Sequence, residues 1–591
     1  MDGLANSTLP CASAISSSVL CMPRRNRLSV LVYMVMMTLV TTAIAVGIAM
    51  AIADPVVVTK NGIVLGKTVT MLNGTMEVDA YLGIPYAAPP VGKLRFKDPV
   101  PPVPWKPYIL DATRKGSACI QFTPANPIPS WAEHESKQSE DCLYLNVWTP
   151  RQKKNATEKL KPVMVWIHGG GFASGSASMD LYDGAILAAA GDVVVVSMNY
   201  RLGVFGFLSL PKDRTPVYGN QGLLDQVFAL RWVQDNIVNF SGDPARVTLF
   251  GESAGGWSIE YHAMSPMART LFSRAIVQSA GVLVPQLADT FSVAEAKALH
   301  LAHNIGCISD ANTTSTVGCL QNKSAHHLII TQSIVCAHYL MCFTAVHGDD
   351  YLPYDPVSEA DMSTPKDFLL GNVENEGSVF ASLWFWMQFP FRSAMNVNKQ
   401  DMLYFFLKAF SFLPNTVARA VYNLYVGALR ETEYHKLRSE FGQAIGDAFL
   451  RCPEVFFGEK LSQHKSHVYY YNMEYNSETD THLDHWLGLT HFEDVQYVFG
   501  MPLRDSPPKN YSFLDAEFSK HIIDIWVTFA KTGVPPMKQG GLWPLFDSTD
   551  HKVVILDHNS TRAETLQQLE RCRFWEAIFK PDIHGTLSDC L

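Results

Sequence analysis

The 591-residue sequence lacks an excess of positive charge, a block of like charges and any repeated unit. Lysine and arginine number 47 against 56 aspartate and glutamate residues, which gives a formal net charge of −9 at pH 7. A surface built to bind phosphates needs the opposite balance, so nucleic acid is not an expected partner. The absence of an internal repeat excludes a repeat architecture. Charged residues make up only 17% and hydrophobic residues 47%, which excludes an intrinsically disordered chain.

The amino-terminal segment has the features of a targeting sequence. Three arginines precede an uncharged apolar run over residues 28–53, which ends in an A-x-A site. This pattern predicts a leader and signal peptide over residues 1–53, followed by a secreted body over residues 54–591. The run is also long enough to span a bilayer, so the alternative is an uncleaved signal anchor with the body outside the cell. Contact with a membrane is expected only in that second case.

Cysteines and glycosylation sequons agree with export. Nine of the 11 cysteines lie beyond residue 53, and an odd number in an oxidising compartment leaves one thiol for a bond between subunits. Cys590, one residue from the end, is the candidate for a disulfide-linked homodimer. Beyond residue 53, the N-x-S/T pattern marks seven candidate glycosylation sites, which are Asn73, Asn155, Asn239, Asn312, Asn322, Asn510 and Asn559.

Several runs rich in β-branched residues are continuous rather than alternating, which indicates strands buried on both faces of a parallel sheet. A helical pattern over residues 223–237 lies between two of these runs. Strands that alternate with helices predict an α/β fold with a doubly wound sheet, in which the chemistry lies at the carboxyl ends of the strands. The proline clusters are too short to be linkers, so one domain is expected. The predicted strands cover residues 163–167, 193–197, 247–250, 368–373 and 468–471.

A G-x-S-x-G motif at residues 251–255 directly follows a predicted strand and precedes a helix. In this context it predicts a sharp turn that exposes the hydroxyl of Ser253 as a nucleophile, with glycines that allow close approach of the backbone. The alternative is a glycine-rich turn with an incidental serine. A serine nucleophile needs a base and a third group that orients the base, in the chain order Ser, acid, His. With 19 histidines, periodicity alone does not select the base.

A second glycine-rich segment could bind the oxyanion that forms when such a nucleophile attacks a carbonyl. Residues 168–171 read His-Gly-Gly-Gly and follow the predicted strand at 163–167. Successive glycines there allow backbone N–H groups to point at an oxyanion, as in the HGGG loops of esterases.

These motifs, with others along the chain, resemble the type-B carboxylesterases and, within them, the cholinesterases. The resemblance covers nearly all of residues 54–591. It implies an α/β-hydrolase fold with a large, central, mostly parallel mixed sheet flanked by helices. It also implies a serine carboxylic ester hydrolase that acts through an acyl-enzyme on a small-molecule ester, with no cofactor and no metal. The further matching stretches are residues 80–90, 139–147, 175–184, 219–225, 371–378 and 488–494.

By the same resemblance Ser253 is the nucleophile, His491 the general base and then acid, and Glu376 the carboxylate that orients His491. The competitors are Glu374 for the acid, and His482 and His485 for the base. The implied oxyanion hole consists of the N–H groups of Gly170, Gly171 and Ala254. The implied disulfides are Cys119–Cys142, Cys307–Cys319 and Cys452–Cys572. Cys336 and Cys342 fall outside this set and either form a small loop or stay apart.

Selectivity for choline esters requires an aromatic site for a quaternary ammonium. The resemblance offers Trp131, Tyr182, Glu252, Phe380 and Trp486, although Trp131 is one position off the spacing of the family. Ala173 and Val379 stand where aromatic residues are common, which favours a wider pocket. The expected substrate is therefore a choline ester such as acetylcholine, and the alternative is a broad-specificity carboxylesterase. A catalytically idle, neuroligin-like binding protein is a further alternative, which the presence of Ser253, Glu376 and His491 disfavours.

Overall fold

The structure is a computed structural model that describes residues 35–37, 54–122, 137–151, 159–210, 217–308, 313–337, 339, 341–391, 395–477, 479, 485–538, 540–558 and 561–579. Contacts divide the chain into two units, Met1–Pro55 and Val56–Leu591. Of the first unit, the structure describes residues 35–37, which are helical, and 54–55. Among the described helices, none has the length and apolarity required to cross a membrane.

An 11-stranded sheet forms the centre of the second unit. Its strands, in chain order, are β1 Lys67–Met71, β2 Met76–Pro85, β3 Tyr144–Pro150, β4 Lys161–Ile167, β5 Val194–Met198, β6 Gly242–Glu252, β7 Arg274–Gln278, β8 Asp367–Val373, β9 His467–Met473, β10 Lys552–Leu556 and β11 Thr561–Thr565. Their spatial order is β11-β10-β9-β8-β7-β6-β4-β5-β3-β2-β1. The neighbours from β10 through to β5 pair in parallel, and the remaining pairs at both edges are antiparallel. The predicted α/β fold with a large, mostly parallel mixed sheet is confirmed.

Burial on both faces explains why the central strands have continuous apolar sequences. In β4, Val163, Val165 and Ile167 belong to the apolar core on one face of the sheet. Met164 and Trp166, which alternate with them, belong to the core on the other face. Since successive side chains of a strand point to opposite faces, helices must cover both sides of this sheet.

The helices are α1 Ala185–Gly191, α2 Gly203–Phe207, α3 Gln221–Asn236, α4 Ala254–Met264, α5 Phe291–Asn304, α6 Thr313–Asn322, α7 Ala325–Cys336, α8 Pro356–Glu359, α9 Ser378–Trp384, α10 Lys399–Ala409, α11 Asn415–Val426, α12 Tyr434–Gly446, α13 Cys452–Gln463, α14 Val495–Val498, α15 Phe513–Thr532 and α16 Leu569–Phe579. A π-helical turn at Asp447–Arg451 joins α12 to α13. Short 3₁₀ turns lie at Gly92–Leu94, Asp180–Tyr182, Ile237–Phe240, His485–Leu487 and Met501–Leu503. Three smaller sheets pair Val56–Val58 with Ile63–Leu65 and Ile109–Asp111, Ala288–Asp289 with Ala345–Val346, and Ala118–Cys119 with Gln138–Ser139.

The register of the parallel strands brings the predicted site together. Ile167, the last residue of β4, pairs with Met198 of β5 and with Gly251 of β6. Farther along the sheet, Gln278 at the end of β7 pairs with Gly371 of β8. The segments that follow these strands therefore leave the sheet at the same edge, which is where α/β enzymes place their chemistry.

Disulfides join distant parts of the described chain. The structure contains the three pairs that the resemblance implies, Cys119–Cys142, Cys307–Cys319 and Cys452–Cys572. It also bonds Cys336 to Cys342, which was one of two alternatives for these residues. The Cys452–Cys572 bond has a sequence separation of 120 residues and connects α13 to α16.

Candidate active site

Ser253 lies on a strained turn between the end of β6 and the start of α4. Its backbone has φ 57° and ψ −126°, a conformation that is costly for a residue with a side chain. A Cβ on Gly255 would lie 2.0 Å from the Ile167 carbonyl oxygen, so only glycine allows the turn to pack this closely on β4. The Ser253 N–H donates to the Gln278 carbonyl at 2.9 Å, which fixes the turn against β7. This geometry is compatible with the predicted nucleophile elbow.

The glycine loop after β4 lies beside this serine. A Cβ on Gly169 would be 3.1 Å from Ser253 Cβ, which shows how closely the loop approaches the turn. Gly170 has φ 105° and Gly171 has φ 61°. Neither residue donates its N–H to another described residue. Ala254 begins α4, so its N–H also has no partner within the helix. These three N–H groups have the chemistry required to bind an oxyanion.

Two loops at the carboxyl edge of the sheet bring Glu376 and His491 together. Asn375 pairs with Thr490 in an isolated bridge, and the Asn375 N–H donates to the Leu489 carbonyl at 3.0 Å. His491 Nδ1 lies 2.7 Å from Glu376 Oε2, and both side chains are buried. Of the competitors, Glu374 and His485 are exposed, and His482 lies outside the described residues.

The Glu376 carboxylate is held by backbone as well as by His491. Its Oε1 accepts the Val373 N–H at 2.9 Å and the Asn372 side-chain amide at 3.2 Å. Burial favours the neutral acid, but hydrogen bonds and the charge of His491 outweigh it and lower the pKa of Glu376 below its ordinary value. This carboxylate therefore remains charged and oriented toward Nδ1.

The second ring nitrogen of His491 faces Glu252, the residue before the nucleophile. Nε2 lies 3.0 Å from Glu252 Oε1, and the Glu252 side chain is buried. Burial lowers the pKa of His491, but the Glu252 and Glu376 carboxylates together outweigh burial and raise this pKa above its ordinary value. Burial next to these charges also raises the pKa of Asp494, which accepts a 2.7 Å hydrogen bond from Gln278. The electrostatics of the site thus couple His491 to Glu252.

We expect Glu252→Gln to move the acid limb of the kcat/KM–pH profile to lower pH. His491 accepts a proton only when it is neutral, and the Glu252 charge stabilises its protonated form. Loss of that charge lowers the pKa of His491, by about one pH unit for an interaction of about 1.4 kcal/mol. The measurement is kcat/KM for an ester from pH 4 to 10. Glu374→Gln, which neutralises an exposed carboxylate nearby, is the control, and a shift in the opposite direction for Glu252→Gln would contradict the coupling.

Among the predicted aromatic residues that the structure describes, one lies next to His491. The Phe380 ring lies 5.1 Å from the His491 ring and 6.0 Å from the Trp384 ring. Tyr182 and Trp486 are buried in apolar cores, where Tyr182 packs 5.1 Å from Trp166 and Trp486 packs 5.9 Å from Phe389. Trp131 lies outside the described residues.

Of the predicted modification sites, four lie in the described part of the chain and four lie outside it. Asn73, Asn239, Asn322 and Asn510 are exposed, as glycosylation requires. Asn155, Asn312, Asn559 and Cys590 lie outside the described residues.

Sequence reasoning did not identify a group of buried charged residues behind Glu376. These residues are Glu260 on α4, Arg451 in the π-helical turn, Glu454 on α13 and Asp494 after the His491 loop. A charged residue within a helical pattern normally indicates a solvated face, so the sequence carries no signal for their burial.

Comparisons with known proteins agree with this geometry. The family model described as the carboxylesterase family matches residues 53–575. The chain is 35% identical over 541 residues to acetylcholinesterase of Bungarus fasciatus, which covers 89% of this chain and 87% of the relative. It is 33% identical over 545 residues to acetylcholinesterase-1 of Trittame loki, with 89% and 95% covered. It is 34% identical over 539 residues to cholinesterase of Mus musculus, with 89% and 87% covered.

Proposed function

We propose that Ser253, His491 and Glu376 form the catalytic triad of this chain, which belongs to the carboxylesterase family and is a serine carboxylic ester hydrolase. The observation that carries the proposal is the 2.7 Å contact between His491 Nδ1 and Glu376 Oε2. It lies at the edge of the sheet where the strained turn presents Ser253. The order Ser, acid, His along the chain is the one that this fold uses.

In the proposed reaction, Ser253 Oγ attacks the ester carbonyl carbon while His491 Nε2 takes the hydroxyl proton. The N–H groups of Gly170, Gly171 and Ala254 bind the resulting oxyanion. When the tetrahedral intermediate collapses, the C–O bond to the alcohol breaks and His491 returns the proton to the alcohol. Water then attacks the acyl-enzyme with His491 again as base, and the acid leaves as Ser253 regains its proton. Glu376 stabilises the imidazolium throughout.

For the substrate we propose a choline ester, with a broad-specificity carboxylesterase as the alternative. The names of the relatives support choline esters. The buried Glu252 beside His491, and Phe380 at 5.1 Å from it, supply an acidic and an aromatic group at the site. Both kinds of group attract a quaternary ammonium. Trp131, Tyr182 and Trp486 remain predicted contributors.

We expect kcat/KM for acetylthiocholine to exceed that for its uncharged dimethylbutyl isostere by about tenfold or more, which corresponds to about 1.4 kcal/mol. The physical reason is that the two thioesters have the same shape, so only the cation distinguishes them. The measurement uses purified residues 54–591, with the Ser253→Ala protein as blank. Equal kcat/KM values for the two thioesters would favour a broad-specificity carboxylesterase. No hydrolysis of either thioester would favour the catalytically idle binding protein.

We further propose that the protein is exported, with residues 1–53 as leader and signal peptide and residues 54–591 as the secreted enzyme. The apolar run, seven sequons and four disulfides support this location. An anchor formed by residues 28–53 is the alternative. Amino-terminal sequencing of protein from the culture medium distinguishes the two, because an anchored chain would stay with the cells and retain that segment.

A homodimer linked through Cys590 is part of the same proposal. The eight cysteines that the structure pairs leave Cys590 over in the body of the chain. We expect non-reducing gels to show a dimer band that Cys590→Ser converts to monomer. A band pattern unaffected by the substitution would refute the bond between subunits.

A further inference from the structure

Arg451 is a buried arginine behind the candidate active site. It is the last residue of the π-helical turn between α12 and α13 and is 1% exposed. Its Nη1 donates to Asp447 Oδ1 at 2.6 Å and to Gln443 Oε1 at 2.9 Å. A buried guanidinium requires such partners, because an unpaired charge in the interior is costly. These two bonds engage only one of its terminal nitrogens.

The other terminal nitrogen of Arg451 binds the segment that carries Glu376. Its Nη2 donates to the Val373 carbonyl at 3.1 Å and to the Glu374 carbonyl at 2.7 Å. The Val373 N–H in turn donates to Glu376 Oε1 at 2.9 Å, while Glu376 Oε2 contacts His491. Arg451 and Glu376 thus both bind the Val373 backbone, Arg451 at its carbonyl and Glu376 at its N–H, and a planar guanidinium is suited to hold two carbonyls at once.

The positive charge of Arg451 lies among several buried acidic residues around Glu376. Glu252, Glu260, Glu454 and Asp494 are all buried, and burial raises the pKa of each. Glu376, in contrast, has a lowered pKa. The positive charge of Arg451 attracts Glu376 and thereby favours its carboxylate form.

The groups that face this region come from every element packed around it. They are Glu252 at the end of β6, Glu260 on α4, Glu374 directly after β8, Asp447 and Arg451 in the π-helical turn, Glu454 on α13, Tyr470 and Tyr471 on β9, and His491 and Asp494 in the loop after β9. Only His491 and Arg451 among these groups are cationic, and only Arg451 carries a charge that does not depend on pH in the working range.

We propose that Arg451 is a positioning residue for ester hydrolysis: it fixes the Val373–Glu374 segment, which orients Glu376 against His491. This inference rests on the proposed triad. It differs from a purely structural role of the Arg451–Asp447 ion pair, which would affect folding stability without changing the titration of His491.

The test compares the wild-type protein with a double variant that carries both Arg451→Met and Asp447→Asn. Because both charges are removed together, the variant leaves no unpaired buried charge. We expect kcat/KM to fall by about 10- to 100-fold, as for other small displacements of a catalytic group. The acid limb of the pH profile should move to lower pH, because a displaced Glu376 carboxylate raises the pKa of His491 less. An acid limb at the wild-type pH, together with kcat/KM within twofold of the wild-type value, would overturn the inference.

A matched control removes a similar pair from the opposite edge of the sheet. Arg274 and Asp367 begin β7 and β8, pair at 3.2 Å, and Arg274 also donates to the Ala530 carbonyl. Arg274→Met with Asp367→Asn should lower the melting temperature and leave the acid limb in place. The same shift of the limb in this control would overturn the specific role of Arg451.

Two further measurements keep the outcomes separate. If the double variant does not fold, Arg451→Lys replaces it in the test. Lysine retains the charge but not the contact with two carbonyls, so kcat should fall about tenfold at unchanged KM. A wild-type kcat for Arg451→Lys would overturn the inference. If the wild-type protein hydrolyses no ester, the proposed function fails. The downfield NMR resonance of the His491 Nδ1–H then decides the inference alone: its shift upfield or loss in the double variant supports it, and an unchanged resonance overturns it.

Discussion

Replacement of Ser253 by alanine is expected to lower kcat for ester hydrolysis by about 10⁴- to 10⁶-fold, the range found when a nucleophile is removed from a serine hydrolase. The reason is that no other hydroxyl occupies the strained turn next to the glycine loop, so the acyl-enzyme cannot form. An organophosphate that phosphorylates serine should label the wild-type protein and leave Ser253→Ala unmodified. The measurement combines steady-state hydrolysis with mass spectrometry of the labelled protein.

The control for this substitution is Ser265→Ala. Ser265 is also buried and lies directly after α4, where its hydroxyl accepts the Met267 N–H at 3.3 Å. It has the same size and chemistry as Ser253 but stands at the opposite end of the helix. We expect unchanged kcat for Ser265→Ala. Ester hydrolysis that survives in pure Ser253→Ala protein would assign the nucleophile to another residue.

Glu376→Gln is expected to reduce kcat by about 10⁴-fold with a smaller effect on KM, as for an acid-to-amide change in other triads. The amide keeps the shape of the side chain but removes the charge that stabilises the imidazolium. Its NH₂ group can also donate to Nδ1, which selects the wrong tautomer of His491. The buried position and the 2.7 Å contact with Nδ1 make this loss specific to Glu376.

The exposed Glu374 provides the comparison for this second result. It lies two residues before Glu376 and shares its chemistry, but its side chain faces solvent. Glu374→Gln should therefore keep kcat within about twofold, the range of surface substitutions. A loss in Glu374→Gln equal to that in Glu376→Gln would mean that the acid of the triad had been misassigned.

The sequence predicts most of the central strands, but it predicts neither β7, whose residues 275–278 are buried, nor the strands toward either edge. The five predicted strands correspond to β4, β5, β6, β8 and β9, because burial on both faces leaves a continuous apolar run. Four of the five residues are exposed or half-buried in β1, with sequence Lys-Thr-Val-Thr-Met, and in β11, with Thr-Arg-Ala-Glu-Thr. Partial exposure removes the apolar signal, so pairing with a neighbour alone defines them.

The motifs also predict the family, which the comparisons confirm. They do not predict how side chains from distant segments meet. Glu252 was expected to attract a substrate cation, and the structure places it 3.0 Å from His491 Nε2. Arg451 gave no signal, because its role depends on the carbonyls of residues that precede it by 78 and 77 positions in the chain. Such contacts arise from tertiary packing and not from local patterns.

The Cys452–Cys572 disulfide encloses the segment that carries His491, whereas Ser253 and Glu376 lie outside it. A protease that cuts once between these cysteines would therefore leave both fragments covalently joined. The nicked enzyme would migrate as one chain without reductant and as two with it. The proposed base would remain tethered to the body that holds the proposed nucleophile. A disulfide in this position thus gives the protein tolerance to a single cleavage beside its candidate active site.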